Sequence, residues 1–225
     1  MQLNEKTLEI LKNFSTINMG MMFRPGNIIR VISQPRTVVG KAQIPQAIDK
    51  KFCIYDLNRF LSIVSSLDNP SIEIKYNDDG SNGSAIITSG ATKIVYRLTD
   101  ESMIVAAPDK DLKLDKPEIT FNMKKDILSQ VLKGAGILGL PNLVISGDRS
   151  KIRFSTDDVK NDGSDSYAVE VGETSADFNF IFNVGNFKML PLDYAVTITS
   201  KGFAQFTAPN IDYWVAMEKG SRFEA

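Results

Sequence analysis

The chain has 225 residues, 43% of them hydrophobic and 24% charged, and its 26 Lys and Arg nearly balance its 27 Asp and Glu. That composition suits one or two folded domains with a real core; no apolar run nears the roughly 18 residues a membrane helix needs, and the start Met1-Gln2-Leu3-Asn4-Glu5-Lys6 lacks the basic and apolar stretches of a secretory signal. Histidine is absent and cysteine occurs once, at Cys53, which excludes a disulfide framework, His-based nucleophilic triads and nearly every zinc site.

The first predicted element is a helix over about Asn4 to Ile17, capped by Asn4 and burying a stripe of Leu8, Leu11 and Phe14. Strand-like runs follow at Gly20 to Arg24, Asn27 to Ile32 and Thr37 to Ile44. Cys53 sits in the next apolar run, Phe52 to Asp56, and reads as a small buried hydrophobe of a cytosolic protein. A helix over Leu57 to Leu67 then buries Phe60, Leu61, Val64 and Leu67, and strands follow at Ser71 to Tyr76, Ser84 to Thr88 and Lys93 to Leu98.

Residues 100–117 carry many charges, two prolines and an apolar patch, Met103-Ile104-Val105, which is the composition of a linker. Beyond it lie a strand at Ile119 to Met123 and a helix from Lys124 to about Leu138 burying Ile127, Leu128, Val131 and Leu132. Strands at Asn142 to Ser146, Lys151 to Ser155 and Ser166 to Val171 come next. A run at Phe178 to Asn183, a helix over Val184 to Leu190 and strands at Tyr194 to Thr199, Phe203 to Thr207 and Tyr213 to Met217 complete the pattern. Turn pairs Asp79-Gly80, Gly147-Asp148 and Lys201-Gly202 suit antiparallel hairpins.

One plan therefore recurs, with strand runs opening at Phe52, Ile119 and Phe178 and the N-terminal helix heading a fourth copy. The reading is α+β: two similar domains, 1–99 and 118–225, each with two helices packed on antiparallel sheets, joined by a connecting loop over 100–117.

Charge is distributed unevenly over this plan. The four helices sum to +4, which leaves −5 for the rest of a chain whose formal charge is −1. A helical layer facing DNA on an acidic body has this asymmetry, and so does a set of ordinary solvated faces.

Two motifs mimic known sites. Gly134-Ala135-Gly136-Ile137-Leu138-Gly139 spells a dinucleotide fingerprint, but it ends a helix instead of opening one and Pro141 follows, so it reads as a helix C-terminus. Asp157 to Gly163 resembles a calcium loop, yet Lys160 and Val169 fall where an acidic or amide ligand and a Glu belong, so it reads as a solvated turn. Phe178, Phe180 and Phe182, and Trp214 beside Tyr213, read as strand packing. No acid pair stands apart from the turns, which disfavours a carboxylate-based hydrolase; an assembly protein that pairs through its β edges is the other rival.

The residues Leu11 to Asn18, Ile54-Tyr55-Asp56-Leu57-Asn58 with Phe60-Leu61, Phe178 to Ile181 with Asn186 and Lys188-Met189, and Tyr213 to Glu218 resemble, in order and spacing, the sliding clamps of T-even-type tailed phages. The resemblance spans nearly the whole chain. It implies a DNA-clamp fold assembling into a homotrimeric ring that holds double-stranded DNA without sequence specificity, with helices lining the hole. It further implies no enzymatic activity and no cofactor, and a residence in the cytoplasm of the infected bacterial host. The implied partners are the replicative DNA polymerase, an ATP-driven clamp loader, and sigma-like and coactivator proteins of late transcription.

On that plan Lys12, Arg59, Lys124, Lys125, Lys133 and Lys188 are the DNA-facing candidates. Subunits would meet through Lys93, Ile94, Val95, Tyr96 and Arg97 of one edge strand and Tyr167, Val169 and Val171 of another. Met103, Ile104, Val105 and Pro108 either border a pocket for partner peptides or simply pin the connecting loop to the sheets.

Overall fold

Helix starts follow side-chain caps. In the computed structural model, which describes residues 1–77, 83–112, 114 and 116–224, the Asn4 side chain accepts the Thr7 amide at 2.8 Å and opens α1 (Glu5–Ile17). Asp56 does the same for the Arg59 amide at 2.9 Å and opens α2 (Leu57–Ser65). In α3 (Lys125–Leu138) the residue at the cap is Lys124, whose side chain makes no capping bond. A carboxylate from far along the chain takes over: Asp193 Oδ1 accepts the Lys125 amide at 2.9 Å. Gly139 ends α3 at φ 67°, so the glycine-rich run is a helix C-terminus, as the sequence indicates.

The chain divides into two compact units, Met1–Asp111 and Leu112–Ala225, with the boundary inside the connecting segment. In the first unit β1 (Met21–Phe23) pairs antiparallel with β4 (Phe52–Ile54), and β2 (Gly26–Ile32) with β3 (Val38–Ile48). A separate antiparallel sheet runs in the order β5 (Ser71–Lys75), β6 (Ser84–Ser89), β7 (Thr92–Arg97). Helix α1 buries Ile10, Leu11, Phe14 and Ile17. The stripe is shifted from the expected one: Leu8 is half-buried and Thr7 lies inside, because its hydroxyl donates to Gln46 Oε1 at 2.6 Å. Gly40 lets this helix approach the sheet, since a Cβ there would lie 2.9 Å from both Phe14 Cε1 and Val31 Cγ1. Cys53 is buried, as expected, and burial pushes its thiol pKa up.

The second unit holds β8 (Ile119–Met123), α3, β9 (Asn142–Asp148), β10 (Lys151–Asp157), β11 (Tyr167–Glu173) and β12 (Asp177–Asn183). These are followed by β13 (Tyr194–Thr199), β14 (Phe203–Ala208), β15 (Ile211–Ala216) and β16 (Arg222–Glu224). One sheet orders β11-β10-β9-β12-β16, and β8, β13, β14 and β15 pair in that order in another, every pairing antiparallel. Phe178, Phe180, Phe182 and Trp214 are all buried, as strand packing requires. The short strand β16 has no counterpart in the predicted elements.

Two expectations change. The helix predicted over Val184 to Leu190 is a single 3-10 turn, Val184–Asn186, so the second unit has one α-helix among its described residues, not two. The Asn183 side chain accepts the Gly185 amide at 2.8 Å, and Phe187 then leaves the helical path to pack its ring 5.5 Å from Phe206 and 5.6 Å from Phe182. Pro191 bars a further turn, and the Tyr194 hydroxyl donates to Leu190 O at 2.5 Å, fixing the segment in its irregular course. The hairpin assigned to Gly147-Asp148 turns two residues later, at Arg149 with φ 65°; Asp79-Gly80 lies outside the described residues.

Two substitutions on α3 separate packing from propensity. Leu128→Ala removes a fully buried side chain and should cost about 3 kcal/mol. Gly136→Ala adds a methyl where no atom lies within 4 Å and should stabilise by roughly 0.5–1 kcal/mol through helix propensity. Urea unfolding of the two variants beside the parent measures both.

Candidate nucleic-acid interface and partner surfaces

Lys12 on α1 and Arg59 on α2 are exposed. A groove of about 300 Å3 between these two helices is lined by Lys12, Ser15, Thr16, Asn58, Leu61, Ser62 and Ser65, with no acid among them. Three of its hydroxyls are turned inward. Ser15 donates to Lys12 O at 2.7 Å, Thr16 to Asn13 O at 2.7 Å and Ser62 to Asn58 O at 2.9 Å. Those three protons are thus committed to the helices.

In the second unit Lys125 and Lys133 are exposed on α3. Lys124 is exposed too, but its ammonium meets Asp193 Oδ2 at 2.8 Å. The pair shifts both groups. The hydrogen bond to Asp193 raises the Lys124 pKa, while Lys124 and the Lys125 amide hold the Asp193 carboxyl below the usual carboxylate range. Lys124 therefore offers a phosphate less net charge than Lys125 or Lys133 does. Lys188 is exposed, on the irregular segment after the 3-10 turn and not on a helix.

The two strands expected at subunit contacts are both sheet edges. β7 ends the sheet β5-β6-β7, and β11 ends the sheet β11-β10-β9-β12-β16. Lys93, Val95 and Arg97 point out while Ile94 and Tyr96 are half-buried; the Tyr96 hydroxyl donates to Asp56 O at 2.9 Å, and its ring meets Phe60 edge-on. On β11, Tyr167 is exposed, and Val169 and Val171 are half-buried. A shallow apolar groove of about 300 Å3 beside β11 is bordered by Gln130, Lys133, Gly134, Ile137, Leu138 and Tyr167. Ile137 is 72% exposed there, which is unusual for an isoleucine in a helix.

The connecting segment is strapped to the first unit. Ile104 fills the space beside Gly20, where a Cβ would lie 2.8 Å from Ile104 Cγ2. Val105 O accepts from Asn18 Nδ2 at 3.2 Å, and Ala107 O from Arg24 at 2.8 Å. Asp111 receives Arg30 at 2.8 Å and Lys41 at 2.6 Å, with Asp109 3.8 Å from Arg30. Arg30 and Lys41 are cross-strand neighbours, so the two cations need acids, and the connecting segment supplies them. The hydrogen bond from Lys41 is the main cause that lowers the Asp111 pKa.

Ile104 and Val105 are half-buried in this strap, while Met103 and Pro108 remain exposed. Met103 has company that the sequence reading missed. Met19, Tyr55 and Met103 are 44%, 51% and 61% exposed. The Leu57 amide donates to Met19 O at 2.8 Å, and Met21, two residues after Met19, pairs with Ile54, which precedes Tyr55, in β1–β4. Residues 19, 55 and 103 thus lie on segments held side by side around Gly20. No group of three or more metal-ligating side chains occurs among the described residues, and no helix is long and apolar enough to cross a membrane.

Comparison with known proteins agrees across the whole chain. Residues 4–106 match the family described as DNA polymerase processivity factor, and residues 120–219 match the C-terminal domain of the gp45 sliding clamp. The chain is 31% identical to the sliding clamp of Enterobacteria phage T4 over 229 residues, covering 98% of each. It is 28% identical to the sliding clamp of Vibrio phage KVP40, covering 97% of this chain and 99% of that one. Among solved structures, the Proliferating Cellular Nuclear Antigen of Entamoeba histolytica superposes with a TM-score of 0.68 at 12% identity over 94% of each chain, a likeness of fold.

The strap and the exposed cluster respond differently to substitution. Ile104→Ser should lower the melting temperature, and Met103→Ser should leave it within a degree or so. The Asp111 contact contributes stability above the ordinary carboxylate range and is lost as pH falls through the lowered pKa of the folded state. Protection factors of the segment around Ala107 should therefore fall below about pH 4, and Asp111→Asn should show that lower protection already at pH 7.

Proposed function

The chain belongs to the phage sliding clamps, the DNA polymerase processivity factors, and from that premise we propose that three copies close into a ring around duplex DNA and tether the replicative polymerase to it. The observation that carries the reading is the pair of unpaired sheet edges, β7 in one unit and β11 in the other. Two different edges on one chain make a head-to-tail contact, and a head-to-tail contact that closes makes a ring. The apolar groove beside β11, with Ile137 and Tyr167 exposed, gives that contact something to bury.

A closed ring holds DNA by topology, so the lining needs little affinity. Weak phosphate attraction through lysines on flexible stems suffices, and stronger contacts would slow sliding. Lys12, Arg59, Lys125, Lys133 and Lys188 are proposed to serve in this way, with Lys124 contributing less because of Asp193.

Partners are proposed to dock on the exposed apolar cluster of Met19, Tyr55 and Met103, with Pro108 beyond it. Flexible thioethers suit several clients at one place. The polymerase, an ATP-driven clamp loader that opens the ring, and sigma-like and coactivator proteins of late transcription are the proposed clients. Membership of the phage family supports the infected host's cytoplasm as the place of action.

Sizing with light scattering should give about 75 kDa, three chains of 24.9 kDa. Val169→Pro disrupts the edge strand β11 and should weaken assembly more than folding. Lys125→Glu with Lys133→Glu should keep the trimer and lower processive synthesis several-fold. A monomer at micromolar concentration would contradict the assembly, and unchanged processivity at physiological salt would remove both lysines from the lining.

A further inference from the structure

The sequence carries eight methionines and one cysteine, and the fold sorts their sulfur atoms by access. Cys53 is buried, and burial pushes its thiol pKa up, which suppresses the thiolate that an oxidant would attack. Met21, Met22, Met123 and Met189 are buried, and Met1 and Met217 are half-buried. Met19 and Met103 are the two exposed methionines.

These two are far apart in the sequence, and backbone bonds hold both on one surface. Met19 O accepts the Leu57 amide, which sets Met19 beside the segment of Tyr55. Met103 closes the 3-10 turn Glu101–Met103. In that turn the Asp100 side chain accepts the Ser102 amide at 2.9 Å, and the Met103 amide donates to Asp100 O at 3.1 Å. The Lys51 ammonium binds the Glu101 carboxylate, and Ile104 packs against Gly20, so the turn is tied to the segments that carry Tyr55 and Met19. The accessible sulfur of the chain therefore lies on the surface proposed above to receive clients.

We propose that Met19 and Met103 form a paired oxidation site, at which a hydroperoxide converts the thioethers to sulfoxides and lowers the affinity of this surface for its clients. The second half of the inference rests on the docking reading of the cluster. In the reaction the sulfur lone pair attacks the outer oxygen of the hydroperoxide, and an S–O bond forms as the O–O bond breaks. The departing oxide takes the proton from the transferred oxygen and leaves as water or an alcohol. Sulfur is oxidised by two electrons and the peroxide is reduced by two. The product replaces a flexible apolar side chain with a polar one. Its oxygen must then be buried without a donor when an apolar client group docks.

The probes are dilute hydrogen peroxide, followed by digestion and mass spectrometry, and the cognate replicative polymerase as client. Met19 and Met103 should gain oxygen at least about tenfold faster than Met21, Met22, Met123, Met189 and Cys53. Oligomeric mass should not change, and polymerase affinity should fall about tenfold. Methionine sulfoxide reductases with a thiol reductant should restore it. In a double variant, Met19→Leu with Met103→Leu, treated and untreated protein should bind the polymerase alike, whatever the starting affinity; should that variant bind too weakly to read, reversal by the reductases decides. Equal oxidation of the buried methionines, unchanged affinity of the parent after both sulfoxides form, or an equal loss in the double variant would overturn the proposal. Untreated Met103→Glu separates the two readings. If it weakens polymerase binding where the sulfoxides do not, the oxidation site alone falls; if neither weakens it, the docking reading falls as well.

Discussion

A β-sheet that stops leaves a row of amides and carbonyls without partners, and this constraint governs the protein more than any single contact. β7 and β11 both stop in this way, each at the limit of its own unit. Neither edge is blunted by proline, and β11 borders an apolar groove. β7 and β11 are left at the ends of their sheets, which is why the proposed assembly, and through it the proposed hold on DNA, starts from the backbone before any side chain is considered.

Electrostatics refines that frame. A net charge of −1 would suit a general DNA binder poorly, yet a ring needs only a mild attraction on its inner face. The helices temper even that. Asp193 neutralises Lys124 while replacing the missing cap of α3, and Ser15, Thr16 and Ser62 between α1 and α2 spend their protons on their own helices. On the proposed reading, such a face attracts phosphates without gripping them. The strong charge contacts are placed elsewhere, in the Arg30–Asp111 and Lys41–Asp111 bonds that hold the connecting segment down.

Much of this is legible in the sequence because it is local. The cap Asn4, the alternation along Phe178 to Phe182 and the glycine-rich end of α3 all declare themselves within a few residues. What fails to show depends on distant partners. Thr7 is buried because Gln46 waits for its hydroxyl. The spacing of Val184, Phe187 and Leu190 imitates a helix, but Asn183 closes a short turn and the aromatic core draws Phe187 out of it. Ile104 and Val105 look like a free apolar patch until Gly20 and Asn18 are brought against them. Met19 and Tyr55 join Met103 only through the pairing of β1 with β4.

The central claim is that the protein holds DNA by encircling it, and retention on closed versus open DNA tests this most directly. Protein loaded onto a nicked circular duplex, washed in high salt and then treated with a single-cutting nuclease should stay bound through the wash and leave once the circle is cut, because a linked ring is indifferent to screening but slides off an end. Elution by salt alone, at the same concentration from circular and linear DNA, would contradict the account and leave only ordinary phosphate binding.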